Sequence, residues 1–277
     1  MIKTGKINKL KVERSVSIGY YLTDDILLPT GSITQDILVG SYIDVFIYRD
    51  SKDRLIATMK MPIAMVGDLK RLKLKEMTKI GAFVSIGLER DVLVPFKEIG
   101  YPLEEDKEYL FYIYLDRSDR LCATSKIDKH LMPPDGLEVS KEYDAYVYDV
   151  HSNGNILCAI SDKYKGIILK NEVFIEIKQG TTVKATIKKI HENEIALLSV
   201  RKKGKDERIE LQDIILEYLR SKGGTMKLND NSSPEDIKKA FNTSKNYFKN
   251  ALGGLMKRGL IIQDENGCKL IKERKMD

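Results

Sequence analysis

The 277-residue chain has few of the residues that build disulfide frameworks, metal centres and tryptophan platforms. It contains no Trp, three Cys and three His, so any exposed aromatic contact falls to its 14 Tyr and 7 Phe. Cys122, Cys158 and Cys268 are odd in number, far apart and inside or beside predicted strands. That pattern is typical of buried free thiols in a reducing cytoplasm. No histidine stands at a metal-ligand spacing from them, so we expect no metal site.

Long hydrophobic runs and catalytic motifs are missing as well. No stretch approaches the roughly 20 apolar residues that span a bilayer, and the first residues lack the apolar run of a signal peptide. We therefore expect a cytoplasmic protein without a membrane partner. The motifs GxxxxGK[ST], HExxH and GxSxG are absent. Asp24 and Asp25 lie in a predicted turn, without the further carboxylates that metal-assisted phosphodiester cleavage needs. The sequence predicts no enzymatic activity and no cofactor.

Neither sign of charge dominates the chain. The net charge of +6 divides into +2 for residues 1–64, −1 for 65–136, +2 for 137–204 and +3 for 205–277. A mild positive bias permits an anionic partner without requiring one. Because the last two segments carry +5 of the total, the count favours the C-terminal half as the main seat of binding.

An internal repeat is the strongest positive signal. Residues 48–60 read YRDSKDRLIATMK and residues 114–126 read YLDRSDRLCATSK, with eight of thirteen positions identical at an offset of 66. Upstream, ILLP matches VLVP at the same offset, and GYYL at 19–22 matches GAFV at 81–84 at an offset of 62. The second copy therefore carries four extra residues, which we place around 87–90. Such self-similarity indicates a duplicated structural unit.

A third, diverged copy follows, with predicted strands over 143–150, 155–160, 165–169, 182–190 and 194–200. Each unit thus has about five strands in some 65 to 75 residues, and a small antiparallel sheet of that length avoids exposed edges by closing into a barrel. The OB fold is the economical solution. Each copy ends in a hydroxyl, any residue and a cation.

After Val200 the spacing of apolar residues becomes helical, with helices predicted over 209–219, 237–241 and from 243 or 244 to 258. Ser233 is the predicted N-cap of the second helix. A hairpin with an Asn266-Gly267 turn follows. Three helices and a hairpin indicate a winged helix.

Within the third helix, the residues predicted to pack inward are Phe248, Leu252, Leu255 and Met256. Lys245, Asn246, Lys249 and Lys257 lie on other faces, where they either enter a nucleic-acid groove or form a solvated helix face.

The predicted fold class is therefore mainly β with a small α+β C-terminal domain. Three five-stranded OB barrels occupy residues 1–64, 65–136 and 137–204, and a winged helix occupies residues 205–277.

The GAFV stretch, the VLVP strand and the hydroxyl-x-cation ending resemble the S-one domain, an RNA-binding OB fold named after a ribosomal protein. Three such domains and a winged helix, over essentially the whole chain, resemble the bacterial CvfB (conserved virulence factor B) family. The resemblance implies RNA binding, a role in post-transcriptional and virulence regulation, and no enzymatic activity.

The resemblance also implies site residues. In S-one domains the Phe of the GAFV motif lies on the ligand face, where bases stack. Phe83 matches that position, and Tyr21 matches it in the first copy. If Val84 and Ile86 point into the barrel, alternation directs Phe83 outward. Stacking on such a ring is worth about 1–3 kcal/mol.

Cations at the two ends of the last strand are candidate phosphate contacts. The full set of candidate RNA-binding residues is Tyr21, Phe83, Arg54, Arg120, Lys60, Lys126, Tyr164, Arg201, Lys245 and Lys249. Arg54 and Arg120 can equally pair with Asp50 and Asp116 across their turns.

The chain departs from the S-one pattern in two places. Pro29 and Pro95 stand where RNA-binding S-one domains often have a His. The third copy lacks an aromatic at the Phe83 position, and its nearest candidates by spacing are Tyr146, Tyr148 and Tyr164. We therefore expect a lost or altered site there. The other strand aromatics, assigned to packing, are Tyr42, Phe46, Tyr109 and Phe111.

Three functions remain open. The first is non-enzymatic binding of single-stranded RNA through several modest sites in one chain, with duplex nucleic acid as a further partner of the winged helix. The second is a DNA-binding regulator that uses the winged helix. The third is a protein-interaction scaffold, because fold does not fix function.

Overall fold

The computed structural model describes residues 2–173, 177–191, 195–200 and 204–271, without the side chains of 204–210. Its strands form three closed five-stranded barrels and one three-stranded sheet. Helices accompany the small sheet and complete a winged helix, which confirms the predicted fold class. The barrels fall for the most part in one compact unit and the winged helix in another. The three boundaries between the four predicted domains stay a prediction.

The three barrels share one strand order. Barrel 1 has strands β1 (Ile7–Val16), β2 (Gly19–Leu22), β3 (Ile26–Pro29), β4 (Tyr42–Arg49) and β5 (Leu55–Thr58). Barrel 2 has β6 (Leu69–Met77), β7 (Gly81–Val84), β8 (Val92–Pro95), β9 (Glu108–Leu115) and β10 (Leu121–Thr124). Barrel 3 has β11 (Glu142–Val150), β12 (Ile156–Ile160), β13 (Tyr164–Ile168), β14 (Thr182–Ile190) and β15 (Ala196–Ser199). In each, the first strand pairs antiparallel with the second and fourth, and the third pairs parallel with the fifth.

A β-bulge lies at the same place in the first strand of every barrel. The register shifts between Val12 and Arg14 in β1, between Leu74 and Glu76 in β6, and between Val147 and Asp149 in β11. A bulge bends its strand and changes the direction in which the following side chains point. The common bulge fixes which residues of the three barrels are equivalent.

The loop between the second and third strands differs between the first two barrels. It has three residues after β2 and seven after β7, from Ser85 to Asp91. The four additional residues predicted near 87–90 are therefore located in this loop, as expected.

Glycine begins the second strand in both of these barrels. Gly19 and Gly81 have φ values of +143° and +147°, which L-residues rarely adopt. A Cβ at Gly81 would stand 2.2 Å from the carbonyl oxygen of Val94, in the strand it faces. Each glycine pairs with the proline that ends that strand, Pro29 or Pro95.

Barrel 1 has its own core, whereas the core cluster of barrel 2 extends to a few side chains of barrel 3. Leu22, Leu28 and Val45 are fully buried members of the barrel 1 cluster. The cluster of barrel 2 includes Tyr146 and Tyr148 from barrel 3. Burial of apolar surface is the dominant favourable contribution to folding, so barrels 2 and 3 stabilise each other directly.

The winged helix consists of α1 (Gly204–Ser221), β16 (Thr225–Met226), α2 (Pro234–Phe241), α3 (Lys245–Lys257), β17 (Ile261–Asp264) and β18 (Gly267–Leu270). The sheet order is β16-β18-β17, so the predicted hairpin carries a third, unpredicted strand. Ser233 caps α2 as expected, since its side chain accepts a hydrogen bond from the Asp236 backbone N–H. Phe248, Leu252 and Leu255 of α3 are buried. The prediction for Met256 is wrong, because its side chain is 40% exposed on the outer side of the helix.

Candidate nucleic-acid interface

Three residues occupy one equivalent position on the outer faces of the barrels. Tyr21 in β2 pairs with Arg14, Phe83 in β7 pairs with Glu76, and Leu157 in β12 pairs with Asp149. The third copy therefore has an aliphatic residue where the others have rings, as the missing aromatic indicated.

Alternation holds on β7 and beyond its end. Val84 and Ile86 are buried in the barrel, and Phe83 and Ser85 are partly exposed. Tyr21 is also partly exposed, next to the fully buried Leu22. Both predicted rings are thus accessible from the outside of their barrels, and their contact with RNA stays a prediction.

Tyr21 carries a cation on its ring. The Cζ of Arg14 lies 4.2 Å from the ring centroid, within the range of a cation–π contact. The same guanidinium donates a 2.7 Å hydrogen bond from Nη2 to Oδ1 of Asp25. The sequence reasoning missed Arg14, although the offset of 62 between the repeats aligns it with Glu76.

Phe83 lies in a groove of about 500 Å³ between the outer face of barrel 2 and the β4–β5 turn of barrel 1. We call this the Phe83 groove. Its charged lining residues are Arg49, Asp50, Glu76, Arg90, Asp91, Asp116 and Arg120. Three arginines therefore face four carboxylates, and the groove offers no net attraction to a polyanion.

Arg54 and Arg120, the predicted phosphate contacts at the start of the last strands, are engaged within the protein. Arg54 bonds Asp50 from both Nε and Nη2, at 2.9 and 2.7 Å, which is the alternative pairing that the sequence left open. Arg120 does not pair its guanidinium with Asp116. Its Nε donates to Oδ1 of Asp53 at 2.7 Å, across to the turn of barrel 1, and only its backbone N–H reaches Asp116.

A reciprocal contact completes this junction. Nη2 of Arg49 lies 3.6 Å from Oδ2 of Asp119. Each barrel therefore supplies one arginine and one aspartate to the junction. We call Arg49, Asp53, Asp119 and Arg120 the clasp. The hydrogen bond from Arg120 holds the pKa of Asp53 below its usual range, so the pair is charged at neutral pH. Two of the three arginines of the Phe83 groove belong to the clasp.

The cations at the ends of the last strands differ in their partners. Nζ of Lys60 lies 3.1 Å from Oε1 of Glu89, in the seven-residue loop of barrel 2. Nζ of Lys126 donates to the carbonyl oxygen of Lys97 at 2.6 Å. Arg201 lies outside the described residues.

The candidate tyrosines of barrel 3 do not lie on its outer face beside Leu157. Tyr146 and Tyr148 are buried, with hydroxyls bonded to Tyr101 and Asp128. Tyr164 is partly exposed at the start of β13, away from the position that Leu157 occupies, and Nζ of Lys163 lies 4.8 Å from its ring centroid.

Lys245 and Lys249 lie on the outer side of α3, near its N-terminus. Nζ of Lys245 donates to the carbonyl oxygen of Asn231 at 3.2 Å, and Nζ of Lys249 is 3.8 Å from Oδ2 of Asp230. Side-chain exposure of 59% leaves Lys249 open to solvent.

Of the aromatics assigned to packing, Phe46, Tyr109 and Phe111 are buried. The assignment of Tyr42 is wrong, because its ring is 63% exposed at the start of β4, where it pairs with Lys11. Tyr42 alternates with the buried Ile43 and Val45 and therefore points out of the barrel, whereas the packing assignment rested on the general tendency of strand aromatics to pack.

All three cysteines are buried and free, which confirms their prediction. Within the described ranges, no three His, Cys, Asp or Glu side chains are grouped to hold a metal ion. Among the same residues, no helix is long and apolar enough to cross a membrane.

Comparison with known proteins agrees with this architecture. The family model described as "S1 domain", the S-one domain, matches residues 4–60 and 66–126, and the "CvfB-like winged helix domain" matches residues 213–270. The "Uncharacterized protein YitL" of Bacillus subtilis is 31% identical, over 96% of this chain and 93% of that protein. "Conserved virulence factor B" of Staphylococcus saprophyticus is 27% identical, over 82% of this chain and 78% of that protein. A crystal structure of a multidomain protein with nucleic acid binding domains from Streptococcus pneumoniae is 25% identical, covers 97% of this chain and 98% of that one, and has a TM-score of 0.51.

Tandem OB barrels with outward aromatic positions and a winged helix define a multidomain protein built from binding-type domains, and the S-one matches support nucleic-acid binding. The particular family is equally plain. The chain belongs to the CvfB family.

Proposed function

We propose that this protein binds single-stranded RNA in the cytoplasm, without catalysing a reaction, and acts in post-transcriptional gene regulation. The observation that carries the proposal is the outward ring at one equivalent position of two barrels, Tyr21 and Phe83, in segments that match the S-one domain. Base stacking on such rings tolerates sequence variation, which suits a protein that reads single strands. The Streptococcus pneumoniae relative, described as having nucleic acid binding domains, adds support.

Several weak sites in one chain raise each other's effective concentration, so the overall affinity can exceed that of any single barrel. The boundaries at 64/65, 136/137 and 204/205 are part of the proposal. Under it, Lys126, Tyr164, Lys245 and Lys249 are secondary contacts, and Arg54 and Arg120 act chiefly in internal ion pairs.

Fluorescence anisotropy with the full-length protein tests the function. Labelled single-stranded RNA of about 12 nucleotides, within the site sizes of OB folds, is compared with duplex DNA across a salt series. We expect tighter binding of the RNA, with the logarithm of the affinity falling linearly with the logarithm of the salt concentration.

The double variant Tyr21→Ala and Phe83→Ala should lose affinity by about tenfold or more, since each stacked base contributes about 1–3 kcal/mol. Phe96→Ala is the matched control, because Phe96 is 52% exposed but does not line the Phe83 groove. A preference for duplex DNA would instead favour a DNA-binding regulator. No binding of either nucleic acid would favour a protein-interaction scaffold.

A further inference from the structure

A second groove lies at the junction of barrels 2 and 3, apart from the equivalent outer positions described above, none of which lines it. Its volume is about 640 Å³, in the range of pockets that hold small molecules. Its walls are residues 67–71 at the start of β6, the segment around His130 and Met132, and the turn between β12 and β13. We call it the His130 groove.

We propose that the His130 groove binds a free nucleoside monophosphate, a ligand and a site beyond the proposed RNA binding. Lys70 and Lys163 contact the phosphate, and the imidazole of His130 contacts the base. The charge of the groove, its flat ring and its fixed walls all suit such a ligand.

The lining of the His130 groove has more cations than carboxylates, unlike that of the Phe83 groove. Asp162 is paired with Arg71, which donates to it from Nε and Nη2 at 2.5 and 2.8 Å. Oδ2 of Asp68 accepts a 2.8 Å hydrogen bond from the Met65 backbone N–H. Both carboxylates thus already have a partner within the protein, and the two remaining cations are lysines.

These lysines are available to an anion. Lys70 is exposed on β6, and in the part of the chain that the structure describes it has no ion-pair partner. Lys163 is exposed too, with Nζ 4.8 Å from the centroid of the Tyr164 ring. A third cation approaches from barrel 1, since Nζ of Lys6 lies 3.7 Å from where a Cβ on Gly67 would stand. Cations of three barrels therefore lie in or beside one groove, which favours a ligand with more than one negative charge.

His130 supplies the flat ring. Its imidazole stacks on Tyr112, with the ring centroids 3.5 Å apart and the planes inclined by 11°. Tyr112 does not line the groove, so the imidazole presents its other face or its edge there. Neither ring nitrogen has a hydrogen-bond partner within the described ranges, so an N–H remains to donate and the ring remains to stack on a base.

The imidazole is uncharged at neutral pH. Burial, and after it the charge of Lys129, lower the pKa of His130 below its ordinary value. Beside it, Met132 is 51% exposed, and its thioether is an adaptable apolar surface. A neutral ring and an apolar side chain next to lysines suit a molecule that joins a base to a phosphate, rather than inorganic phosphate alone.

The walls of the groove are held together across the junction. Arg71 bonds Asp162 of barrel 3, and its Cζ lies 5.1 Å from the centroid of the Tyr146 ring. The Met132 backbone N–H and carbonyl bond the backbone of Lys163 and Lys165, each at 2.9 Å. A preformed groove loses little freedom when a ligand binds, which favours affinity.

Isothermal titration calorimetry with the full-length protein tests the proposal. The ligands are adenosine and uridine monophosphates, compared with the free nucleosides and with inorganic phosphate. We expect one molecule of nucleoside monophosphate to bind per chain, at least about tenfold more tightly than the nucleoside, because the charged phosphate adds strong hydrogen bonds.

Lys70→Glu should weaken this binding by about tenfold or more, since it places a like charge beside the phosphate. Lys75→Glu is the matched control, because it makes the same change on an exposed residue of β6 that does not line the groove. His130→Ala should reduce the affinity for the nucleoside monophosphate and leave that for inorganic phosphate unchanged. Thermal unfolding checks the fold of each variant, and the exposed Lys163→Glu gives a second measurement if His130→Ala is unstable.

A nucleotide could also enter a site that stacks RNA bases, and two measurements separate the sites. The double variant Tyr21→Ala and Phe83→Ala should bind the nucleoside monophosphate as tightly as the unaltered protein does. Saturating nucleoside monophosphate should leave labelled single-stranded RNA bound.

Three results would overturn the proposal. The first is that neither nucleoside monophosphate binds, and the second is a Lys70→Glu variant that binds no more weakly than Lys75→Glu. The third is loss of nucleotide binding in the double variant, which would assign the ligand to the stacking rings. A protein that binds the nucleotide but no single-stranded RNA would keep this site while the proposed function fails.

Discussion

At the scale of single residues, the partner of a charge matters more than its count. Arg54, Arg71 and Arg120 each reach a carboxylate within the protein, at 2.5 to 2.9 Å. An arginine that is already paired contributes less free energy to the binding of a phosphate from outside the protein, because binding must first replace the existing ion pair. Net charge by segment favoured the C-terminal half, but the count does not show which cations already have a partner, as Arg14 has in Asp25 at 2.7 Å.

The three thiols give a prediction about pH at this scale. Burial raises the pKa of Cys158 to about 12 and the pKa values of Cys122 and Cys268 to about 11. A folded state that holds its protons more tightly than the unfolded state gains stability that is fully present below pH ~9 and declines as the pH rises through the folded pKa values. We therefore expect the free energy of unfolding to fall between about pH 9 and 12.

Thiolate absorbance separates this effect from tyrosine ionisation. The folded protein should show little thiolate between pH 8 and about 10, and unfolded protein should titrate near the ordinary value of about 8.5. Alkylation at pH 8 should be slow for all three thiols until the protein is unfolded. A thiol that reacts at once in the folded protein would contradict the buried assignment.

At the scale of elements, barrels 1 and 2 both require a glycine at the first position of the second strand. At Gly81 a side chain would meet both a forbidding φ of +147° and the Val94 carbonyl oxygen 2.2 Å away. We expect Gly81→Ala to destabilise the protein by about 1–3 kcal/mol, the cost of holding a residue in a sparsely populated conformation. Denaturant unfolding with a constant m-value measures it.

Gly100→Ala is the control for that substitution. Gly100 has an ordinary φ, and its added Cβ would have its nearest neighbours at 3.4 Å and beyond, in the side chains of Lys126 and Ser125. A surface change of this type is expected to lie within about 0.5 kcal/mol. Equal losses for both variants would show that the strand-start geometry is not the cause.

At the scale of the whole molecule, barrels 2 and 3 are joined by buried side chains of both barrels. The hydroxyl of Tyr146 lies 2.5 Å from that of Tyr101 and accepts a 3.1 Å hydrogen bond from the Leu110 backbone N–H. Arg71 bonds Asp162 beside this pair, from Nε and Nη2. The junction of barrel 1 includes the exposed clasp and the Lys60–Glu89 pair, which salt screens, and a backbone hydrogen bond from Ile63 N–H to the Ile86 carbonyl oxygen.

Tyr146→Phe should therefore weaken two barrels at once. The loss of the hydroxyl leaves the buried Leu110 N–H without its acceptor, at a cost of about 1–3 kcal/mol. Hydrogen exchange should rise in β9 of barrel 2 as well as in barrel 3, with barrel 1 unchanged. Tyr143→Phe, which removes only a single bond to the Glu138 backbone N–H, should have a smaller effect.

An increase confined to barrel 3 would contradict the shared core. The same contact bears on the predicted boundary at 136/137. A chain cut there would expose Tyr146 and Tyr148, which are buried against barrel 2. For this reason the binding experiments above use the intact protein.

The sequence by itself determined the local and periodic features of this protein. The repeat at offsets of 66 and 62, the strand alternation and the Ser233 cap of α2 led to three OB barrels, a winged helix and the outward positions of Tyr21 and Phe83. These follow from short-range physics, since turn chemistry and side-chain periodicity act within a few residues.

Only the tertiary structure decided which cations pair with carboxylates of another barrel and which side chains two barrels bury together. Arg120 reaches Asp53, 67 residues away, and Tyr146 enters the core of barrel 2. Arg14 lies opposite Tyr21 because of the register of β1 against β2, which the bulge sets. Such contacts depend on how separate barrels meet, and neither periodicity nor charge count contains that information.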